Sequence, residues 1–120
     1  MDEDAERERA SRPEDLSRLI VARLNAGDVD GVVALYEPQA VLALSDGQVA
    51  AGAEEIRSVY EHLLADKPTF APGTQRPTLR CANVALTSSR LANGVVTAEV
   101  ARRQPDGTWL WILDRPNVMD

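Results

Sequence analysis

One cysteine, one histidine and one phenylalanine are all that this 120-residue sequence holds of those three types, and each shortage removes a class of chemistry. Cys81 has no partner for an intramolecular disulfide, and it reads as a small buried hydrophobe. His62 and Cys81 together cannot supply the three or four His or Cys ligands of a zinc site. No metal and no other cofactor is expected. Basic residues are also scarce, with 13 Lys and Arg against 19 Asp and Glu, a net charge of -6 and a pI near 4.7. Phosphate-backbone binding needs clustered positive charge, and the one adjacent basic pair, Arg102-Arg103, reads as solvated charge on a strand. Nucleic acid is therefore not an expected partner. No apolar run approaches the roughly 20 residues that span a bilayer, so no membrane partner is expected. The first residues, MDEDAERERASR, carry no apolar stretch behind their charges, unlike a secretory signal, and the expected location is cytoplasmic. No GxSxG, P-loop, GxGxxG or HExxH occurs, so nucleophile-elbow, nucleotide and zinc-peptidase chemistries have no support.

What is present is one domain's worth of patterned sequence. Residues 1–12 are nearly all charged or small, predicting a disordered tail or frayed helix extension ahead of a single domain over 13–120. Ser11-Arg12-Pro13-Glu14 has the spacing of a capping box, and Leu16, Leu19, Ile20 and Leu24 then recur at helical spacing until Gly27. Asp28 is a cap for a second helix, Val29 to Tyr36, ended by Pro38. A hairpin follows, Ala40–Leu44 and Gln48–Ala50 about Ser45-Asp46-Gly47. Residues 53–65 set Ile56, Val59, Tyr60 and Leu63 on one face of a third helix, and His62 falls on its surface side.

After a proline-rich connection over 67–77, strands are predicted over 78–88, 91–104 (interrupted at Asn93-Gly94) and 108–115. Helices first and a strand meander last predict an α+β fold, a curved, cone-shaped antiparallel sheet wrapped around three helices.

Leu24-Asn25-Ala26-Gly27-Asp28 with Tyr36 beyond it, Ile56-Arg57-x-x-Tyr60 on the third helix, and the final Asp106-Gly107-Thr108-Trp109 hairpin resemble the SnoaL-like and ketosteroid-isomerase-like group of the nuclear-transport-factor-two-like superfamily. The match runs from about Pro13 to Val118. The resemblance implies a pocket between helices and sheet, and homodimers formed through the sheet's outer face. It does not name a reaction, because one such fold hosts many. Ketosteroid isomerases place a general base in the strand after the second helix; counting from Tyr36, that position is Leu44. Their oxyanion-binding tyrosine falls on Ile20. Their strand acid falls on Glu99, counting back from Gly107, and Tyr60 matches a pocket tyrosine. With the base and one donor replaced by apolar residues, steroid isomerisation by that route is disfavoured. Asp46 lies close to the lost base, but its turn explains it.

The same count makes Asp114 a concave-face residue on the last strand. Expected catalytic groups are thus Asp114, Glu99 and Tyr60. Expected pocket walls are Ile20, Leu24, Tyr36, Leu44, Leu63, Leu110 and Ile112. Strict alternation puts Leu110, Ile112 and Asp114 on one face and Trp109, Trp111 and Leu113 on the other, so the tryptophans read as core or dimer interface. The rival readings are that Asp114 ends its strand in solvent with Arg115, that Glu99 joins an outer row with Arg103, and that Tyr60 is core packing. Two functions follow: a cofactor-free acid–base enzyme of isomerase, cyclase or hydrolase type acting on a small hydrophobic molecule, or a non-catalytic binding or dimerisation module that keeps the pocket.

Overall fold

The structure, a computed structural model, describes residues 7–120. Its first helix, α1 (Asp15–Asn25), buries Leu16, Leu19 and Leu24. The predicted Ser11–Glu14 box does not close this helix. Instead the Asp15 carboxylate accepts the backbone N–H of Ser11 at 3.2 Å and of Arg12 at 3.1 Å. Asp28 does cap α2 (Val29–Val33), accepting the Gly31 N–H at 3.0 Å. Gly31 is required there, since a Cβ would lie 2.2 Å from Asp28 Oδ2.

The second helix is shorter than predicted. The chain leaves it at Ala34 and is already extended at Tyr36, entering β1 (Tyr36–Ala43). Pro38 sits inside this strand, where the register skips between Tyr36 and Val41 and no ladder bond is asked of it. A 3-10 turn, Ser45–Gly47, joins β1 to β2 (Val49–Ala51), and α3 (Ala53–Leu63) follows.

The predicted strand 78–88 is two strands, flanked by two short ones. β3 (Thr74–Gln75) precedes it, β4 (Leu79–Cys81) turns tightly into β5 (Val84–Thr87), and β6 (Ser89–Arg90) pairs with β3. The turn places Ala82 at φ 54°, a conformation the sequence does not advertise with Gly or Asn. Cys81 is exposed on β4 rather than buried. β7 (Ala98–Arg103) and β8 (Trp109–Arg115) complete a six-stranded sheet ordered β2-β1-β8-β7-β5-β4. Among the described residues the fold is α+β with three helices against a curved, open sheet. That sheet is mixed, because β1 runs parallel to β8 while every other neighbouring pair is antiparallel.

Ile112 carries the decisive irregularity. Ala101 pairs with Trp111 while Val100 pairs with Leu113, so Ile112 is an extra residue in β8. Such a bulge reverses the in–out alternation beyond it. Trp109, Trp111 and Asp114 all point inward, at 2%, 3% and 8% exposure. Two registered rows result. Leu42, Asp114, Glu99 and Thr87 align across the inner face, and Val41, Leu113, Val100, Leu86 and Leu79 align across the outer face.

Residues 7–12, expected to belong to a disordered tail or frayed helix extension, lie against the domain; residues 1–6 lie outside the described residues. Ala10 is buried, and its carbonyl accepts the Trp109 N–H at 2.9 Å. Arg7 pairs with Asp28 at 2.9 Å, and the buried Arg23 donates to the carbonyls of Glu8 and Gly31. Backbone atoms and arginine heads make these contacts, so a composition poor in apolar residues does not foreshadow them. Among the described residues, no helix is long and apolar enough to cross a membrane.

Candidate functional site

Between the helices and the inner sheet face lies a cavity of about 480 Å³. α1 contributes Ile20, Val21 and Leu24, α3 contributes Val59, Tyr60 and Leu63, and the sheet contributes Leu42, Glu99, Trp111 and Asp114. The irregular segment after α3 closes one side with Phe70, anchored because the Asn25 side chain both accepts the Phe70 N–H at 2.7 Å and donates to its carbonyl at 2.9 Å. Among the described residues no Lys, Arg or His side chain lines the cavity.

Of the residues expected at the site, Asp114, Glu99, Tyr60, Ile20, Leu24, Leu44 and Leu63 line this space. Tyr36 does not; it stands behind the wall, fully buried, and bonds to Asp114. Leu110 and Ile112 do not line it either, because the bulge turns them away and brings Trp111 to the wall in their place. Trp111 therefore serves both core and cavity. The sequence carries no signal for the bulge, and without it Trp111 is assigned to the wrong face. The sequence gives no signal for Phe70, because its proline-rich surroundings predict only a connection. The sequence gives no signal for Thr87, because alternation is obscured where the chain turns at Ala82 without a glycine.

The hydrogen bonds at the acids form two chains with a common direction. When Asp114 is ionised, Tyr36 donates its hydroxyl to Asp114 Oδ2 at 2.5 Å, and the 2.7 Å contact between Tyr36 and Tyr60 then uses the Tyr60 proton. On the other side Trp111 Nε1 donates to Thr87 Oγ1 at 3.3 Å, and Thr87 donates to Glu99 Oε1 at 2.7 Å. Both chains end on a carboxylate. Among the described residues nothing bonds Asp114 Oδ1, although Asp114 is only 8% exposed and lines the cavity.

Burial sets the electrostatics. Desolvation, helped by the facing Glu99 charge and opposed by the Tyr36 hydrogen bond, pushes the Asp114 carboxyl up to about 7. Glu99 is also raised by burial, against the hydrogen bonds of Thr97 and Thr87. Burial and the neighbouring acid hold both tyrosines protonated, well above their ordinary range. Glu99 and Asp114 are direct cross-strand partners, which places their Cβ atoms roughly 4.5–5.5 Å apart. Two carboxyls at that spacing in an apolar wall resist ionising together. The rival placements in solvent do not hold: Asp114 is buried rather than capping its strand beside Arg115, and Glu99 is 7% exposed while Arg103 is exposed.

Asp46 lies exposed in the 3-10 turn at φ 68°, as turn chemistry requires, and His62 is on the surface of α3. Arg102 pairs with Glu37 at the sheet surface. Among the described residues no group of three or more His, Cys, Asp or Glu is placed to hold a metal ion.

No family profile and no curated protein matches the sequence. Solved structures do match its shape. A ketosteroid isomerase-like protein from Erwinia carotovora atroseptica is 20% identical with a TM-score of 0.67, over 85% of this chain and 89% of that one. A nuclear-transport-factor-two-like protein of unknown function from Shewanella oneidensis is 20% identical with a TM-score of 0.69, over 85% and 93%. A SnoaL-like protein of unknown function from Burkholderia thailandensis is 18% identical with a TM-score of 0.60, over 85% and 90%. At these identities the likeness establishes the fold, and reactions diverge freely on one fold.

Proposed function

We propose that this chain, which shares the fold of the ketosteroid isomerase-like and SnoaL-like proteins, is a cytoplasmic pocket protein that moves protons on a small hydrophobic molecule without a cofactor. The observation that carries this reading is Asp114: one oxygen held by Tyr36, the other open to an apolar cavity. A carboxyl near 7 is populated as both acid and base at neutral pH, so it can remove a proton at one ligand position and return it at another. Glu99 is the second carboxyl of a coupled pair. Tyr60, donating through Tyr36, steadies the ionised state of Asp114. The apolar side chains at Leu44 and Ile20 line the cavity where the steroid isomerases keep their base and tyrosine, which supports a reaction other than theirs.

The partner we assign is a second copy of the chain, seated on the outer sheet face. The exposed row there includes Leu79, Leu86 and Leu113, at 66%, 42% and 49% exposure, in continuous register across four strands.

A test needs no knowledge of the natural substrate. 5-Nitrobenzisoxazole opens when a base takes its single ring C–H proton: the N–O bond breaks and the electron pair leaves on the phenolate oxygen. The wild-type protein should accelerate this opening, with a rate that rises through pH 7. Asp114→Asn should reduce it by about 100-fold or more. A rate within twofold of wild type in the folded variant would remove Asp114 as the base and leave a binding or dimerisation module.

A further inference from the structure

The polarity of the hydrogen bonds around Asp114 and Glu99 limits what can occupy the cavity, an inference that rests on the pocket reading above. Tyr60 and Tyr36 spend their hydroxyl protons in the chain that ends on Asp114, and Trp111 and Thr87 spend theirs in the chain that ends on Glu99. What remains open at the acid end is an acceptor, Asp114 Oδ1, on a residue more than nine-tenths buried. A ligand that meets the ionised Asp114 must therefore arrive with a donor. Among the described residues no lysine, arginine or histidine lines the cavity, so the two facing acids have no positive counterpart in the described wall. The rest of the lining is mostly aliphatic and aromatic, among it Ile20, Leu24, Val59 and Phe70, with uncharged polar side chains such as Ser17, Thr69 and Asn93.

We propose that the cavity takes an amine: a protonated ammonium set between Asp114 and Glu99, carried on an apolar skeleton that fills the space beneath α1 and α3. The ammonium supplies both the missing donor and the missing charge. It compensates one carboxylate and leaves the other free to hold or exchange a proton, so ligand binding and the proposed proton transfer need not compete for the same group. Carboxylate and phosphate ligands are repelled by the same pair. A neutral alcohol satisfies the open acceptor but not the charge.

Affinity for such a cation rises with pH through the ionisation of Asp114. The groups facing Asp114 that could alter this dependence are Tyr36 from β1, Tyr60 from α3 and Glu99 from β7; the α1 residues lining the cavity bear no titratable group. The two tyrosines stay neutral throughout the range, which leaves the acids as its source.

Three probes on one skeleton test the assignment: 1-naphthylmethylamine, 1-naphthalenemethanol and 1-naphthoic acid, titrated calorimetrically into the full chain at pH 6 and pH 8. The amine should bind at least tenfold more tightly than the alcohol at pH 8, with a smaller advantage at pH 6, and the acid should bind weakest. In an Asp114→Asn, Glu99→Gln double variant the amine and the alcohol should bind within about twofold of each other. Should that variant fail to fold, the three-probe ranking on wild type decides alone. An alcohol that binds as well as the amine, or an amine preference that survives in the variant, overturns the inference while leaving the pocket reading in place. If none of the three binds, the pocket reading falls and takes the inference with it.

Discussion

Glu99 and Asp114 face each other across the β7–β8 ladder, both buried and both directed at the same apolar cavity. Like charges directly opposite destabilise a sheet, so a protein that keeps such a pair inside carries a cost to its folding. That cost is measurable.

The stability of the protein should fall as pH rises toward neutrality because of this pair. Asp114 has an ordinary value of 3.8 and is raised to about 7 in the folded chain, so the native state holds its proton more tightly than the unfolded state. The contribution is fully present below the unfolded value, declines as pH rises through about 7, and is flat above. Between pH 5 and pH 8 wild type should lose about 3 kcal/mol from this group relative to Asp114→Asn, which cannot titrate there. Urea unfolding of both proteins at the two pH values gives the comparison. An identical pH dependence in the two would show that Asp114 is not desolvated.

Tyr36→Phe should move the Asp114 midpoint upward, because its hydroxyl is the hydrogen bond that favours the ionised form. Tyr60→Phe should move it in the same direction by less, since it acts through Tyr36. Each change removes a buried hydroxyl interaction and should cost about 1–2 kcal/mol in folding. Carboxyl titration by NMR orders the two variants; a larger shift for Tyr60→Phe would reverse the assigned direction of the chain.

The outer row bears on assembly. Wild type should sediment as a dimer at micromolar concentration, and Leu86→Glu with Leu113→Glu should sediment as a folded monomer, because facing acids would be brought together across the interface. A wild-type monomer under the same conditions would leave that row without the assigned partner.

The residues that build the site could be read from the sequence further than their orientation could. Helical spacing picked out Ile20, Leu24, Tyr60 and Leu63, all of which line the cavity, since a periodic apolar face has only one side on which to be buried. Counting within the resembled pattern selected Glu99 and Asp114. The face of β8 was beyond reach, because a single extra residue at Ile112 inverts every assignment on one side of it and Ile is an ordinary strand residue. Strict alternation therefore set Leu110 and Ile112 with Asp114, where the folded chain sets Trp109 and Trp111. The turn at Ala82 was hidden for a similar reason: a left-handed residue without a glycine looks like more strand. The packing of residues 7–12 is not legible in the sequence because it comes from Arg23 and from the Ala10 and Trp109 backbones, interactions that composition does not weigh.

The most direct check on the central claim is a titration of the Asp114 side-chain carboxyl by carbon-13 NMR on the full chain. A midpoint close to pH 7, lifted further by Tyr36→Phe, is the expected result. A midpoint near 4 would place Asp114 in water and contradict the assignment of this cavity as a site of proton transfer.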